Sequence, residues 1–313
     1  MDMRIDNVRD TEKGRTSSGT AAHAGDRTIE VTGKHLKIAR FKDEWYAGTD
    51  NPDLLRELLR QSRMKADLIT FMQRPPDTNP KFGYYMEWDN LAAVPLTNMD
   101  VWWKNQIPKQ TRNHVRRAQK SGIIVRIAEF DDALVKGISE IYNESPVRQG
   151  RRFWHYGKDL ETIRNTHSTY HDTCDFIGAY LHGQLIGFVK LVYVGETART
   201  MQIISMFAHR DKAPTNALIA KAVEICCGKG IRYLVYGKYD YGKASGRSLT
   251  MFKKENGFQK VLYPRYYIPL NLKGEISLKL KLHRGIREML PEGLIFFLLE
   301  GRKKWYLRKY GQG

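Results

Sequence analysis

The chain has 313 residues, of which 42% are hydrophobic and 27% charged, and this balance excludes a globally disordered polypeptide. Three cysteines are too few for a disulfide scaffold, and the adjacent pair Cys226 and Cys227 suits neither a bridge nor a metal clamp. Fifty-two basic and 34 acidic residues give a formal net charge of +18, which favours a polyanionic partner such as RNA, an anionic membrane or a phosphate-rich cofactor.

Residues 1–28 are polar, carry equal numbers of basic and acidic side chains, and lack the apolar core of a secretion signal. We therefore expect a disordered polar tail. The longest apolar run of the chain, Leu294–Leu299, has six residues, whereas a membrane-spanning helix needs about 20. Together with the few cysteines, these features predict a cytoplasmic protein.

Residues 29–98 are predicted to form a small N-terminal α/β unit. Alternating apolar and polar residues at Ile29–Val31 and Leu36–Phe41 indicate strands, and a helix begins at Asn51. Further strands are expected near residues 68–72 and 84–88. The unit is too short to be an independent enzyme.

Residues 99–122 are predicted to form a basic linker helix, which Pro108 interrupts and Gly122 ends. Four cations follow one another at spacings of three, four and four residues, so they lie on one face of that helix. They are the candidate nucleic-acid contacts Lys109, Arg112, Arg116 and Lys120.

Residues 123–270 show the order strand, two helices, three strands, helix, strand, helix and strand. The turn His182–Gln184 fits a tight hairpin, and a polar, aromatic loop runs from residue 143 to 156. Residues 271–313 form a basic helical extension, in which apolar residues lead into Arg302–Tyr306. This extension suits either a helix on an anionic membrane or a helix packed on the core.

The order of the elements, with helix Thr215–Gly228 directly after an extended strand, resembles that of the GNAT acyltransferase superfamily. Two stretches are similar to the FemAB-like and BioF2-like branch, namely TRNHVRRAQKSG at 111–122 and LTMFKKENGF at 249–258. The resemblance implies a mixed α/β, GNAT-type fold with a splayed central sheet in residues 123–270. A smaller, incomplete GNAT-like unit would precede it.

In this superfamily the acyl donor lies between the splayed strands, and the next helix presents its N-terminus to the cofactor pyrophosphate. The resemblance therefore implies donor contacts at Ser205, Met206, Phe207, Arg210, Lys212, Thr215 and Asn216. It implies contacts with the amine acceptor at Asn143, Glu144, Arg148, Gln149, Trp154 and Tyr156. The glycine-rich loop of GNAT acetyltransferases is missing between residues 208 and 217.

Acyl transfer to an amine requires a base, donors for the developing oxyanion and an acid for the leaving group. His155, in the polar loop, is the candidate base. Lys253 matches the lysine that FemAB-like enzymes place near the reacting carbonyl, and Tyr239 or Tyr241 would protonate the leaving group. No metal is expected, because the pair His167 and His171 has no third ligand nearby.

The first hypothesis is an N-acyltransferase that moves an acyl group from acyl-CoA, such as acetyl-CoA, to a primary amine. The second is a FemAB-like aminoacyltransferase whose donor is aminoacyl-tRNA and whose acceptor is a cell-wall precursor or a protein amine. The basic helix and the missing glycine-rich loop fit the second hypothesis. The third is a non-catalytic module that binds RNA or a membrane surface on a degenerate GNAT scaffold.

Overall fold

The computed structural model describes residues 4–10, 17–24, 27–46, 51–75, 77–148, 150–240, 247–285 and 291–310. The chain divides into two compact units. The first consists of Met1–Asn90 and Leu262–Ile295, and the second of Leu91–Val261 and Phe296–Gly313. The candidate site residues of the sequence analysis all fall within the second unit.

The helices and strands follow one another along the described residues in this order: β1 (Arg4–Asp10), β2 (Ser17–Ala24), β3 (Arg27–Thr32), β4 (Ile38–Phe41), α1 (Pro52–Gln61), β5 (Leu68–Met72), β6 (Tyr85–Pro95), α2 (Met99–Val101), α3 (Lys109–Lys120), β7 (Ile124–Ala128), α4 (Asp132–Asn143), β8 (Val147–Arg148), β9 (Arg151–Arg152), α5 (Leu160–His167), β10 (Cys174–Leu181), β11 (Gln184–Val194), β12 (Thr197–Ser205), α6 (Pro214–Gly228), β13 (Tyr233–Val235), α7 (Arg247–Glu255), β14 (Gln259–Pro269), α8 (Leu272–Lys279) and α9 (Glu292–Tyr310).

The first unit is built from antiparallel neighbours β1 to β4, followed by β5, which pairs in parallel with β4. Helix α1 makes the crossover that a parallel pair requires. Asn51 caps this helix, Pro52 occupies its first turn, and Leu55, Leu58 and Leu59 face the core. The C-terminal part of β14 extends the sheet by pairing antiparallel with β5.

The second unit has the same order of paired strands, with helices α4 and α5 inserted between its first two long strands, β7 and β10. Strands β10, β11 and β12 form an antiparallel meander, β7 pairs with β10, and α6 leads from β12 to the parallel strand β13. The tight hairpin between β10 and β11 is confirmed, because His182 and Gly183 have φ angles of 50° and 82°. The two units share this order of paired strands, and the first unit is the smaller. This arrangement confirms the predicted fold class.

The central sheet of the second unit is splayed, as the resemblance implied. β12 and β13 pair only where Thr197–Arg199 lie beside Tyr233–Val235, after which β12 continues to Ser205 paired with β11 but not with β13. A register shift within the β11–β12 pair leaves Met201 bulged out of the ladder. The C-terminal half of β12 therefore has a backbone edge that β13 does not cover.

The structure differs from the sequence analysis in residues 1–28, where we expected a disordered tail. β1 pairs antiparallel with β2, and β2 with β3. These strands are rich in small and polar residues, so the hydrophobic alternation that reveals a half-buried strand is weak.

The predicted interruption of the linker helix at Pro108 is confirmed. A π-helical turn, Trp102–Gln106, follows α2, and α3 begins again at Lys109. Leu262–Pro269 of β14, which the prediction placed in the domain 123–270, belong to the first unit rather than the second. No helix in the described ranges is both long enough and apolar enough to cross a membrane.

Candidate functional site

A largely buried ion pair joins the polar loop after α4 to the end of β12. Arg148 Nη2 lies 2.8 Å from Glu144 Oε2 and also donates to the carbonyl of Ile141. Its Nη1 donates to the carbonyl of Ser205 at 2.8 Å, and the guanidinium lies 4.5 Å from the ring centroid of Phe207. Two predicted acceptor contacts therefore lie directly against two predicted donor contacts.

The Glu144 carboxylate also binds the backbone just beyond β12. Its two oxygens accept hydrogen bonds from the N–H groups of Phe207 and Ala208, both at 2.8 Å. The N–H of Met206 donates to the carbonyl of Ile186. The backbone groups that the resemblance offers to an acyl donor thus have internal partners, and an anionic or carbonyl oxygen could reach Phe207 and Ala208 only by displacing Glu144.

The N-terminus of α6 lies beside this cluster. The hydroxyl groups of Ser205 and Thr215 are 2.8 Å apart, which ties the end of β12 to the first turn of α6. Pro214 has no N–H group, and the N–H of Asn216 donates to the carbonyl of Ala213. This helix start therefore offers fewer backbone donors to a pyrophosphate than a glycine-rich loop does.

Four of the remaining predicted contacts have structural partners or lie on the surface. The side chain of Asn143 binds the N–H of Gly157. Arg210 and Tyr156 are exposed, and Lys212 lies 3.4 Å from the neighbouring Asp211. The predicted residues Gln149 and Tyr241 lie outside the described residues.

A buried chain of hydrogen bonds begins at His155, which is only 4% exposed. Its Nε2 lies 3.1 Å from Gln202 Nε2 on β12, and Tyr142 Oη donates to Gln202 Oε1 at 2.8 Å. The chain ends at His167 Nε2, 2.8 Å from Tyr142 Oη. With the Gln202 amide oriented in this way, His155 Nε2 accepts a hydrogen bond, so the proton of the neutral ring lies on Nδ1.

The Nδ1 atom of His155 has no hydrogen-bond partner within the described part of the chain. Burial, reinforced by the charge of Lys158, lowers the pKa of His155 to about 3. The ring of Trp154 lies against this imidazole, with 3.6 Å between the ring centroids. A neutral imidazole of such low basicity removes protons poorly, so these features favour hydrogen-bond donation by His155 over the predicted role as base.

The buried histidines predict that the protein loses stability in mild acid. Burial lowers the pKa of His167 to about 3 as well, whereas each histidine titrates near 6.5 in the unfolded chain. Between those values only the unfolded state binds the protons, so the free energy of unfolding falls as the pH decreases below about 6.5. The slope is up to about 1.4 kcal/mol per pH unit for each histidine.

Urea unfolding between pH 7.5 and 5 measures this slope. His155→Gln and His167→Gln should each flatten it, whereas His171→Gln, at an exposed position, is the matched control. If the slope of unfolding free energy against pH is unchanged in both buried variants, the acid sensitivity does not come from these two histidines.

Lys253 on α7 is fully buried, as a catalytic or a structural lysine could be. Its Nζ donates to the carbonyl of Lys238 and lies 5.1 Å from the ring centroid of Tyr236. Tyr239 packs, partly buried, against the core of the same unit. Lys253 therefore contacts the segment after β13 at Lys238, the residue before the predicted Tyr239.

The two stretches that carried the sequence resemblance contact each other. Thr111 Oγ1 donates to the carbonyl of Glu255 at 2.8 Å, and Trp102 Nε1 donates to the carbonyl of Asn256. The Asn256 side chain accepts from Asn216 on α6, so Asn216 supports α7 instead of pointing to a cofactor. Gly257 has a φ of 84°, and a Cβ there would lie 3.0 Å from Trp102 Nε1, which explains the glycine.

The basic face of α3 is only partly available to a ligand. Arg112 Nη1 donates to the carbonyls of Trp103 and Ile107, so it stabilises the interrupted helix. Arg116 lies over the ring of Trp103 but is exposed. Lys109 and Lys120 are exposed as well.

Sequence reasoning missed Tyr142, Gln202 and Lys190 as parts of this region. Lys190 is fully buried on β11, and its Nζ donates to the carbonyl of His167 at 2.8 Å. A single lysine in the otherwise apolar run LIGFVKLVYV was the available signal. Among the described residues, no group of three histidine, cysteine, aspartate or glutamate side chains could hold a metal ion.

Comparison with solved structures identifies similar folds. FemX has a TM-score of 0.56 at 13% identity, covering 87% of this chain and 89% of its own. The L-PGS of Bacillus licheniformis has a TM-score of 0.54 at 13% identity, covering 84% and 88%. The C-terminal domain of a proposed lysylphosphatidylglycerol synthetase from Agrobacterium fabrum has a TM-score of 0.54 at 15% identity, covering 84% and 87%.

These similarities extend over most of both chains in each pair, and they confirm the GNAT-type, FemAB-like fold. Neither a protein-family model nor a curated protein sequence matches this chain.

Proposed function

We propose that this protein is an acyltransferase in which a primary amine attacks the carbonyl carbon of an acyl donor directly. The observation that carries the proposal is the splayed edge of β12, against whose end Glu144 and Arg148 lie. The likeness to FemX and L-PGS supports the proposal at the level of fold. Attack forms the amide bond and breaks the bond to the leaving group, which takes up a proton.

We infer that the donor is an aminoacyl ester of tRNA rather than acyl-CoA, which reverses the order of the hypotheses from sequence. The poor supply of backbone donors at the start of α6 disfavours a cofactor pyrophosphate there. Lys109, Arg116 and Lys120 offer exposed cations for a nucleic-acid backbone. Acyl-CoA remains the second candidate, since the fold is also that of GNAT enzymes.

The residue roles in this proposal follow from their contacts. His155 Nδ1 would donate a hydrogen bond to the acceptor or to the developing oxyanion. Lys253 would stabilise negative charge near the carbonyl, and Tyr239 would protonate the leaving group. Arg148 and Glu144 would position the acceptor loop against β12.

Ligand binding separates the two donors. We expect charged tRNA to bind more tightly than uncharged tRNA, with an affinity that falls steeply with salt, and free CoA and acetyl-CoA to leave the melting temperature unchanged. Lys109→Ala, Arg116→Ala and Lys120→Ala should each weaken tRNA binding. Each should also reduce the slope of log affinity against log salt concentration by about one. Lys136→Ala, an exposed lysine on α4, is the matched control.

A clear thermal shift with acetyl-CoA and weak tRNA binding that salt abolishes would instead support the acyl-CoA enzyme. Binding of tRNA without discrimination between charged and uncharged forms, and no response to CoA, would favour the non-catalytic module. Both outcomes contradict the proposed donor.

We also propose that α9 brings this unit to an anionic membrane surface, within a cytoplasmic protein. The exposed apolar residues Phe297, Leu298, Trp305 and Leu307 share this helix with Lys303, Lys304, Arg308 and Lys309. Arg152 of the acceptor loop lies 5.4 Å from the ring centroid of Tyr310. An acceptor amine on a membrane-anchored molecule would fit that proximity.

A further inference from the structure

The first unit carries a cavity that the proposed function does not use. It has a volume of about 410 Å³ and lies where α1 ends and β5 begins. Apolar side chains line its floor, namely Leu59, Met64, Ile69 and Leu270. Basic side chains surround that floor, namely Arg56, Arg60, Arg63 and Lys65, and none of the described residues that line it is a carboxylate. An apolar floor below a basic rim is the chemistry that binds an anionic amphiphile.

Two of these cations are free to bind such a ligand. Arg60 lies 2.7 Å from Glu57 and Arg56 lies 3.7 Å from Asp53, so those two are paired along the exposed surface of α1. Arg63 and Lys65 are exposed and have no ion-pair partner in the part of the chain that the structure describes. Among the described residues of the unit, their charges are therefore not neutralised.

Helix α8, which begins directly after the cavity residue Asn271, exposes an apolar stripe. Leu272, Ile276 and Leu280 are 70%, 45% and 61% exposed, and their spacing of four residues places them on one face. The opposite face is fixed to the unit, because Gly274 lies so close to the carbonyl of Asp67 that a Cβ would be 2.1 Å from that oxygen. The exposed face is consequently a defined outer surface of a packed helix.

We propose that the first unit docks on an anionic phospholipid bilayer through α8 and the adjacent cavity. Leu272, Ile276 and Leu280 enter the boundary between headgroups and acyl chains, as the apolar face of an interfacial helix does. Arg63 and Lys65 bind the lipid phosphate at the rim, and the apolar floor holds the adjoining part of one acyl chain. This surface is distinct from the exposed residues of α9, and its existence does not depend on acyl transfer.

Flotation with lipid vesicles tests this docking in the full chain. We expect co-flotation with vesicles of phosphatidylglycerol and phosphatidylcholine, and little with phosphatidylcholine alone. Combining Leu272→Glu, Ile276→Glu and Leu280→Glu should reduce the bound fraction at least tenfold. Arg63→Glu with Lys65→Glu should remove the preference for phosphatidylglycerol. Because all five side chains are exposed, the melting temperature should not change.

Two comparisons make the result specific. Ile124→Glu with Ile127→Glu, at positions 65% and 51% exposed on β7 of the second unit, is the matched control and should bind like the parent. Leu298→Glu with Trp305→Glu tests α9 separately. Binding that survives the α8 variant and disappears with the α9 variant would overturn the proposal. An equal loss of vesicle binding in the control variant would also overturn it. So would a parent protein that binds tRNA but does not float with the vesicles.

The cavity is tested with a short-chain lipid. Dihexanoyl phosphatidylglycerol below its micelle concentration should raise the melting temperature of the parent. Ala66→Trp, which narrows the cavity, should abolish that shift, and inorganic phosphate should produce none. A shift that persists in Ala66→Trp, or none in the parent, would remove the cavity from the proposal.

Discussion

Lys253→Met is expected to lower the turnover number about 100- to 1000-fold while the protein stays folded. This is the loss that follows removal of one preorganised electrostatic donor from an acyl-transfer site. Lys253 is fully buried, and methionine fills nearly the same volume, so the core should tolerate the change. The lost hydrogen bond to the Lys238 carbonyl should cost about 1–3 kcal/mol of unfolding free energy. Turnover with charged tRNA and a panel of primary amines, beside a melting curve, measures both effects.

The neighbouring lysine provides the control for this experiment. Lys254 is exposed at the end of α7, and Lys254→Met should leave turnover and stability unchanged. Lys253→Arg, which keeps the charge, should recover part of the turnover. Full activity in Lys253→Met would show that the lysine only supports the fold.

Arg148→Ala is expected to destabilise the protein by about 3–5 kcal/mol, the cost of removing one partner from a buried ion pair. The Arg148 and Glu144 side chains are only 10% and 18% exposed. Arg148 also donates to the carbonyls of Ile141 and Ser205, which would lose this donor. The polar loop of residues 143–156 would separate from β12, so we expect the proposed activity to disappear together with stability. Urea unfolding at pH 7.5 measures the difference in free energy.

Arg151→Ala, three residues later and at an exposed position, should change the unfolding free energy by less than about 0.5 kcal/mol. Arg148→Met combined with Glu144→Gln removes both charges, and it should be more stable than Arg148→Ala because no buried carboxylate is left unpaired. If Arg148→Ala lowers the unfolding free energy by less than about 1 kcal/mol, the ion pair between Arg148 and Glu144 is effectively solvated.

Local patterns predicted much of the fold because they depend on neighbouring residues. Pro108 cannot continue a helix, and the pair His182 and Gly183 favours the positive φ angles of a hairpin turn. Periodicity and turn residues predicted the order of elements from β7 to β14, except that the short strands β8 and β9 lie within the predicted loop of residues 143–156. β1 and β2 were missed because pairing with their neighbours, rather than an apolar face, defines them as strands.

The candidate site was predicted less completely, because its contacts join distant parts of the chain. Loop residues such as Glu144, Arg148 and His155 stood out by type and position. The hydrogen bond from Tyr142 to Gln202 joins residues 60 positions apart. In the sequence, Tyr142 looks like an ordinary core tyrosine and Gln202 like a polar strand residue. The binding of Glu144 to the N–H groups of Phe207 and Ala208 depends on backbone geometry, which residue type does not encode.

The first unit, made from two distant stretches, imposes an order of events during synthesis. Thr70 on β5 donates to the carbonyl of Tyr266 on β14, which is 196 residues further along the chain. At about 5–20 residues per second a ribosome needs roughly 10–40 s to make that stretch, long enough for the intervening unit to fold first. β5 therefore leaves the exit tunnel well before its partner exists. We expect chaperones to engage the nascent chain at this unpaired strand edge, and poor yields where they are scarce.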